Sequence, residues 1–135
     1  MSNTSILDRI EATLRSLASD PEVKMEGVWY GACQETKLTK WNYFVFNRLK
    51  TTKNNNGTRT DLQTLYEVHI IHEGHIPEGY VGKVINELQT MDPDYPGAKL
   101  KLTNDDILYA YTFKQNTNMV VEIATITLYH PEKRC

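Results

Sequence analysis

Cysteine is nearly absent: Cys33 and Cys135 are the only two in 135 residues. They stand far apart and the second is the last residue, so the spacing predicts two unbridged thiols of a reducing compartment rather than a disulfide framework. No apolar run approaches the roughly 18 residues that span a bilayer. The first residues are polar and then amphipathic, without the apolar centre of a signal peptide. The expectation is a soluble chain made in a cytoplasm, with no membrane partner. Positive charge is not in excess either. A net charge of -2 argues against a protein whose task is to coat nucleic acid, which needs a basic surface. Neither an internal repeat nor a second composition regime is present, so residues 1–135 are read as one domain, long enough to bury a core unaided.

Catalytic signatures are missing too. There is no phosphate-cradling glycine loop, no Gly-x-Ser-x-Gly, no His-Glu-x-x-His and no cysteine pair. Cys33 has no evident histidine base and reads as a small buried residue. Asn104-Asp105-Asp106 reads as turn formers ahead of a strand, and adjacent strand side chains point apart. His69, His72 and His75 are each three apart. On a strand that odd spacing sends the first two to opposite faces, which does not build a metal site. The chain is expected to be no enzyme, with no catalytic residue, metal or cofactor.

What is present is a clear sequence of elements. Ser5 is a good N-cap, with Asp8 in the first turn, where the helix dipole favours a carboxylate. Ile6, Leu7, Ile10, Leu14 and Leu17 form a stripe at helical spacing, and Asp20-Pro21 ends it. Val28 to Cys33 is a short β-type run. Gln34 to Lys40 is a polar connector. Trp41 to Leu49 is a strand rich in aromatic and β-branched residues, apolar on both faces at its start. Thr64 to His72 is a second such strand, with Tyr66, Val68 and Ile70 facing one way and Leu65, Glu67, His69 and Ile71 the other.

Between these two strands, residues 50–60 carry Asn54-Asn55-Asn56-Gly57 and nothing that would bury. They are expected to form an exposed hairpin loop. Arg48, Lys50, Lys53 and Arg59 make it basic and are the candidate partner contacts. After Gly74 and Pro77, a helix is expected from about Pro77 to Met91, with Val81, Val84, Ile85, Leu88 and Met91 on one stripe. The Asp92 to Gly97 run stops it. Ala98 to Leu102 alternates weakly. Ile107 to Phe113 and Met119 to Tyr129 read as a β-hairpin. Tyr109, Tyr111 and Phe113 would suit base stacking, but only Lys114 supplies charge nearby, so core packing is the expectation for them. Residues 131–135 form a short charged tail. The order is helix, three strands, helix, then two or three strands. That is an α+β fold, with a mainly antiparallel sheet of about five strands and two amphipathic helices packed against it.

This order resembles the tail terminator proteins of long-tailed bacteriophages, also called tail-completion or head–tail joining proteins. The resemblance is one of pattern over almost the whole chain. It runs from the Ile6–Leu17 helix with its Ala18-Ser19-Asp20-Pro21-Glu22-Val23 ending, through the aromatic strand Tyr43-Phe44-Val45-Phe46-Asn47-Arg48 and the variable loop, to the Tyr66–Ile71 strand. The Val81–Leu88 helix and the final Val121–Tyr129 strand complete it. The resemblance implies a structural virion protein of the neck: a homo-hexameric ring that caps the tail tube, ends its elongation and joins it to the head. Its implied partners are further copies of itself, the tail tube protein and the head-completion or connector protein. DNA would pass through the lumen without sequence-specific contact. Other readings are a different neck or tail-tube component, for which two good helices are unusual, and a cytoplasmic α+β ligand-binding domain or enzyme with a pocket beside the central strand.

Overall fold

A computed structural model describes residues 5–33, 40–90, 100–114 and 117–129. Residues 34–39 of the Gln34 to Lys40 connector, Met91 at the expected end of the second helix, the Asp92 to Gly97 stop, Ala98, Cys135 and the tail at 131–135 lie outside them.

Helix α1 spans Ile6–Ser19. Its N-terminus is a full capping box: the Asp8 amide donates to Ser5 Oγ at 3.1 Å, and the Ser5 amide donates to the Asp8 carboxylate at 3.4 Å. Two orphan amides are thereby satisfied. Ile10, Leu14 and Leu17 are its buried residues. Strand β1 (Val28–Tyr30) follows, then β2 (Tyr43–Asn56), β3 (Arg59–Glu73), helix α2 (Tyr80–Thr90), and strands β4 (Lys101–Leu102), β5 (Leu108–Phe113) and β6 (Val120–Tyr129). The fold is α+β, as the patterning implies. α2 begins three residues after Pro77, its expected start. Glu78 and Gly79 make a turn, with Gly79 at φ 93°, and the Gly79 carbonyl accepts an early helical hydrogen bond from the Lys83 amide.

One six-stranded sheet runs in the order β1-β2-β3-β6-β4, with β5 also on β6. All pairings are antiparallel except that of β1 with β2. Helix α1 packs over β1 and β2 and against α2. Alternation then sorts the side chains. Phe44, Phe46, Tyr66, Val68, Ile70, Ala124, Ile126 and Leu128 face the helices and join Ile10, Leu14, Val84 and Leu88 in the main core. On the opposite face, Val45, Ile71 and Val121 form a smaller buried cluster, flanked by Trp41, Tyr43 and Ile123. The strand starts are apolar on both faces because both faces are covered.

Two sequence expectations need correction. Residues 50–55, 57, 58 and 60 are exposed, but residues 50–60 are not a loop. β2 and β3 continue as a paired ribbon to Asn56↔Arg59, and only Gly57 and Thr58 make the turn. Gly57 has φ 69°, the conformation a two-residue hairpin turn with glycine in first place requires. The Thr51 and Thr64 hydroxyls also meet across the strands at 2.9 Å. The ribbon holds by cross-strand hydrogen bonds and register rather than by burial, so its sequence lacks an apolar alternation. Second, Tyr109, Tyr111 and Phe113 are not in the core. They are 49%, 64% and 64% exposed. β5 lies at the sheet edge, past the cover of the two helices.

Candidate interaction surface

Two features project from this frame. The first is the β2–β3 ribbon. β6 ends at Tyr129, opposite Leu65. Beyond that point, among the described residues, β2 and β3 pair only with each other. At about 3.3 Å per residue the protruding part reaches roughly 20 Å. Arg48, Lys50 and Lys53 are all exposed on its β2 strand. Among the described residues none of the three holds an ion pair. Arg59 opens β3 opposite Asn56; its side chain lies outside the described part of the structure. The ribbon therefore gathers the expected contact residues on one element. Between Arg48 and Lys50 the register shifts by one residue. Such a bulge bends and twists a strand, and here it exposes Leu49.

The second feature is β5. Its outer edge has no strand beside it among the described residues. The register Tyr109↔Ala124, Tyr111↔Glu122 and Phe113↔Val120 places the three rings on the helix side of the sheet. Leu108, on the other face, is 69% exposed. Polar contacts fix this edge in place. Tyr111 Oη donates to Glu122 Oε2 at 2.8 Å, while the other oxygen of Glu122 accepts the Ile76 amide at 2.8 Å. The hydrogen bond to Glu122, with burial secondary, raises the Tyr111 pKa. At the end of β5, Lys114 pairs with Glu73, whose carboxylate also accepts the Trp41 amide at 2.8 Å. Burial alone would raise the Glu73 pKa; the bonds from Lys114 and Trp41 outweigh it and lower it. Glu73 thus ties together the start of β2, the end of β3 and the end of β5.

The histidines part as their spacing implies. On the face away from the helices, His69 Nε2 donates to Asn47 Oδ1 at 2.9 Å, leaving Nδ1 to accept from the Thr125 hydroxyl at 2.9 Å. Asn47 in turn donates to Glu67 at 3.0 Å. Burial lowers the His69 pKa, and the nearby Glu67 only partly offsets it. His72, on the helix side, bonds the Glu73 carbonyl and meets the Tyr80 ring edge-on. His75 bonds the Ile76 carbonyl. His69, Asn47, Glu67 and Thr125 satisfy one another, which is the behaviour of a structural network. Beside it, Glu67, Asp105, Asp106, Leu108, Thr125 and Thr127 line a shallow cleft of about 270 Å³.

The exposed β5 row was missed because strict alternation of aromatics reads as half-buried strand. The available signal was that both parities of Leu108 to Phe113 are large or neutral, with no charged residue to mark a solvent face. No family model matches the chain, and no curated protein does. One solved structure covers 96% of this chain and 98% of its own, with 12% identity and a TM-score of 0.44. Likeness at that level identifies no function. No helix among the described residues is long and apolar enough to cross a membrane.

Proposed function

We propose that this protein is the tail terminator of a long-tailed bacteriophage. In this reading it is a structural part of the virion neck: a homo-hexameric ring caps the finished tail tube, stops its growth and joins it to the head connector. Its work is assembly rather than catalysis. The observation that carries the reading is the order of elements from the Ile6–Ser19 helix to the Val120–Tyr129 strand, together with a sheet that leaves edges open for other chains. Open, polar and apolar edges suit a subunit that adds to others. Open clefts of about 290 and 270 Å³ suit a small-molecule enzyme poorly. Arg48, Lys50, Lys53 and Arg59 are the contacts this reading assigns to a partner.

Deleting the gene in its parent phage tests the role. The expected result is tail tubes of uncontrolled length that fail to join heads, with normal tails restored when the protein is supplied. Tails of normal length joined to heads in the deletion would remove the reading.

A further inference from the structure

The ribbon and the β5 edge sit on opposite sides of one sheet. The outer edge of β2 beyond Arg48 is unpaired among the described residues and is basic, with Arg48, Lys50 and Lys53 exposed. The β5 edge follows two exposed carboxylates, Asp105 and Asp106, and carries an exposed aromatic row. One edge thus offers cations and backbone groups. The other offers anions, backbone groups and apolar surface. An unpaired strand edge is a template for another strand. An exposed row of large apolar side chains is a mark of an interface.

We infer that the β2–β3 ribbon of one copy lies along the β5 edge of the next, covering Tyr109, Tyr111 and Phe113 on the helix side, where Lys53 stands, and setting Lys50, which points to the other face, near Asp105 and Asp106. The inference rests on the ring reading for its choice of a second copy as occupant. Three observations support that choice. The charges of the two edges are opposite. Both edges are strand edges of the same sheet, so joining them continues it. Lys53 and Leu62 are paired across the ribbon, and Leu62 shares the strand parity of Tyr66 and Val68. Lys53 and the 53% exposed Leu62 therefore stand on the helix side, the same side as the three rings. A leucine is suited to pack on aromatic rings, and a lysine to sit over their faces. The contact is head-to-tail, since the two surfaces differ. Repeated, it closes into a ring if the rotation allows and otherwise extends as a filament.

The test uses two full-length variants and the wild type, with mass in solution measured by light scattering. Tyr109→Lys with Phe113→Lys damages the seat and leaves the ribbon intact. Lys50→Glu with Lys53→Glu reverses the charge of the ribbon and leaves the seat intact. All four residues are exposed, so both variants should keep the wild-type circular dichroism and melting temperature. The wild type is expected to form a multi-subunit species, and each variant alone is expected at the monomer mass of 15.6 kDa. Mixing the two should give a 1:1 dimer and nothing larger, because one good ribbon then meets one good seat. A wild type that stays monomeric at millimolar concentration overturns the inference. So do variants that keep the wild-type mass, or a mixture in which the two never associate. A seat-to-seat contact is also distinguished, because the ribbon variant would then dimerise by itself. Tail capping is read separately by the gene deletion. Rings built through these contacts by a protein that caps no tube would leave this inference standing and remove the terminator reading.

Discussion

Glu73 shows how one side chain ties distant segments together. Its carboxylate meets Lys114 after β5 and the Trp41 amide before β2, and its own amide is received by Asn42 Oδ1 at 3.0 Å. A carboxylate whose folded pKa is lowered contributes stability that is fully present above the unfolded value, near 4.5. That contribution is lost as pH falls through the folded value. Glu73→Gln should therefore destabilise the protein at neutral pH and by progressively less only as the pH falls below 4.5, as followed by urea unfolding at several pH values. His69 acts through the same linkage with the opposite group. Burial holds its pKa below 6.5, so the unfolded chain takes up a proton before the folded one does. Stability should decline as pH falls below that value, and His69→Gln should flatten the dependence between about pH 7 and 5. Gly27 is a third position with a specific demand. A Cβ there would come within 2.5 Å of the Trp29 ring, which is itself held edge-on by Tyr43 at 5.6 Å. Gly27→Ala should cost about 1–3 kcal/mol, the usual range for forcing atoms into filled space, measured by chemical denaturation.

The elements differ in how far their residues announce them. α1 was legible because three independent signals agree: the Ser5 and Asp8 cap, the stripe through Ile10, Leu14 and Leu17, and the stop at Asp20-Pro21. The alternation of Tyr66, Val68 and Ile70 likewise reports a buried face correctly. The ribbon was not legible as strand, since Thr51, Thr52, Lys53 and Asn54 bury too little to show a period. Its pairing comes from the Gly57-Thr58 turn and the cross-strand hydroxyls, and neither is visible until the register is known. The exposure of β5 was hidden for the opposite reason: its alternation is real, but which strand lies at the edge is a property of topology. These origins make a separable prediction. Removing the four cross-strand pairs formed by residues 52–55 and 60–63 shortens the ribbon by an even number of positions and keeps the turn, so each remaining side chain keeps its face. The shortened protein should melt within a few degrees of the wild type, because the deleted pairs bury little, yet it should no longer self-associate. Leu14→Ala, by contrast, opens a cavity in the main core and should cost about 2–5 kcal/mol.

At the scale of the whole molecule, the sheet divides into a closed part and an open part. The closed part lies under α1 and α2 and holds the main core. The open part consists of the ribbon at one side and β5 at the other, and it carries the exposed cations and the exposed aromatics. That division suits a subunit whose stability and whose contacts are supplied by different residues. A contact partly made by Lys50 and Lys53 should also weaken with salt, because added ions screen exposed charges. The candidate contacts on the ribbon were legible as charge in the sequence; the complementary seat was not, because it depends on where β5 falls in the sheet. The most direct measurement is negative-stain microscopy of the purified protein, paired with its mass in solution. The proposed role predicts closed rings of six subunits. A uniform monomer at millimolar concentration, with no rings in the images, would contradict it.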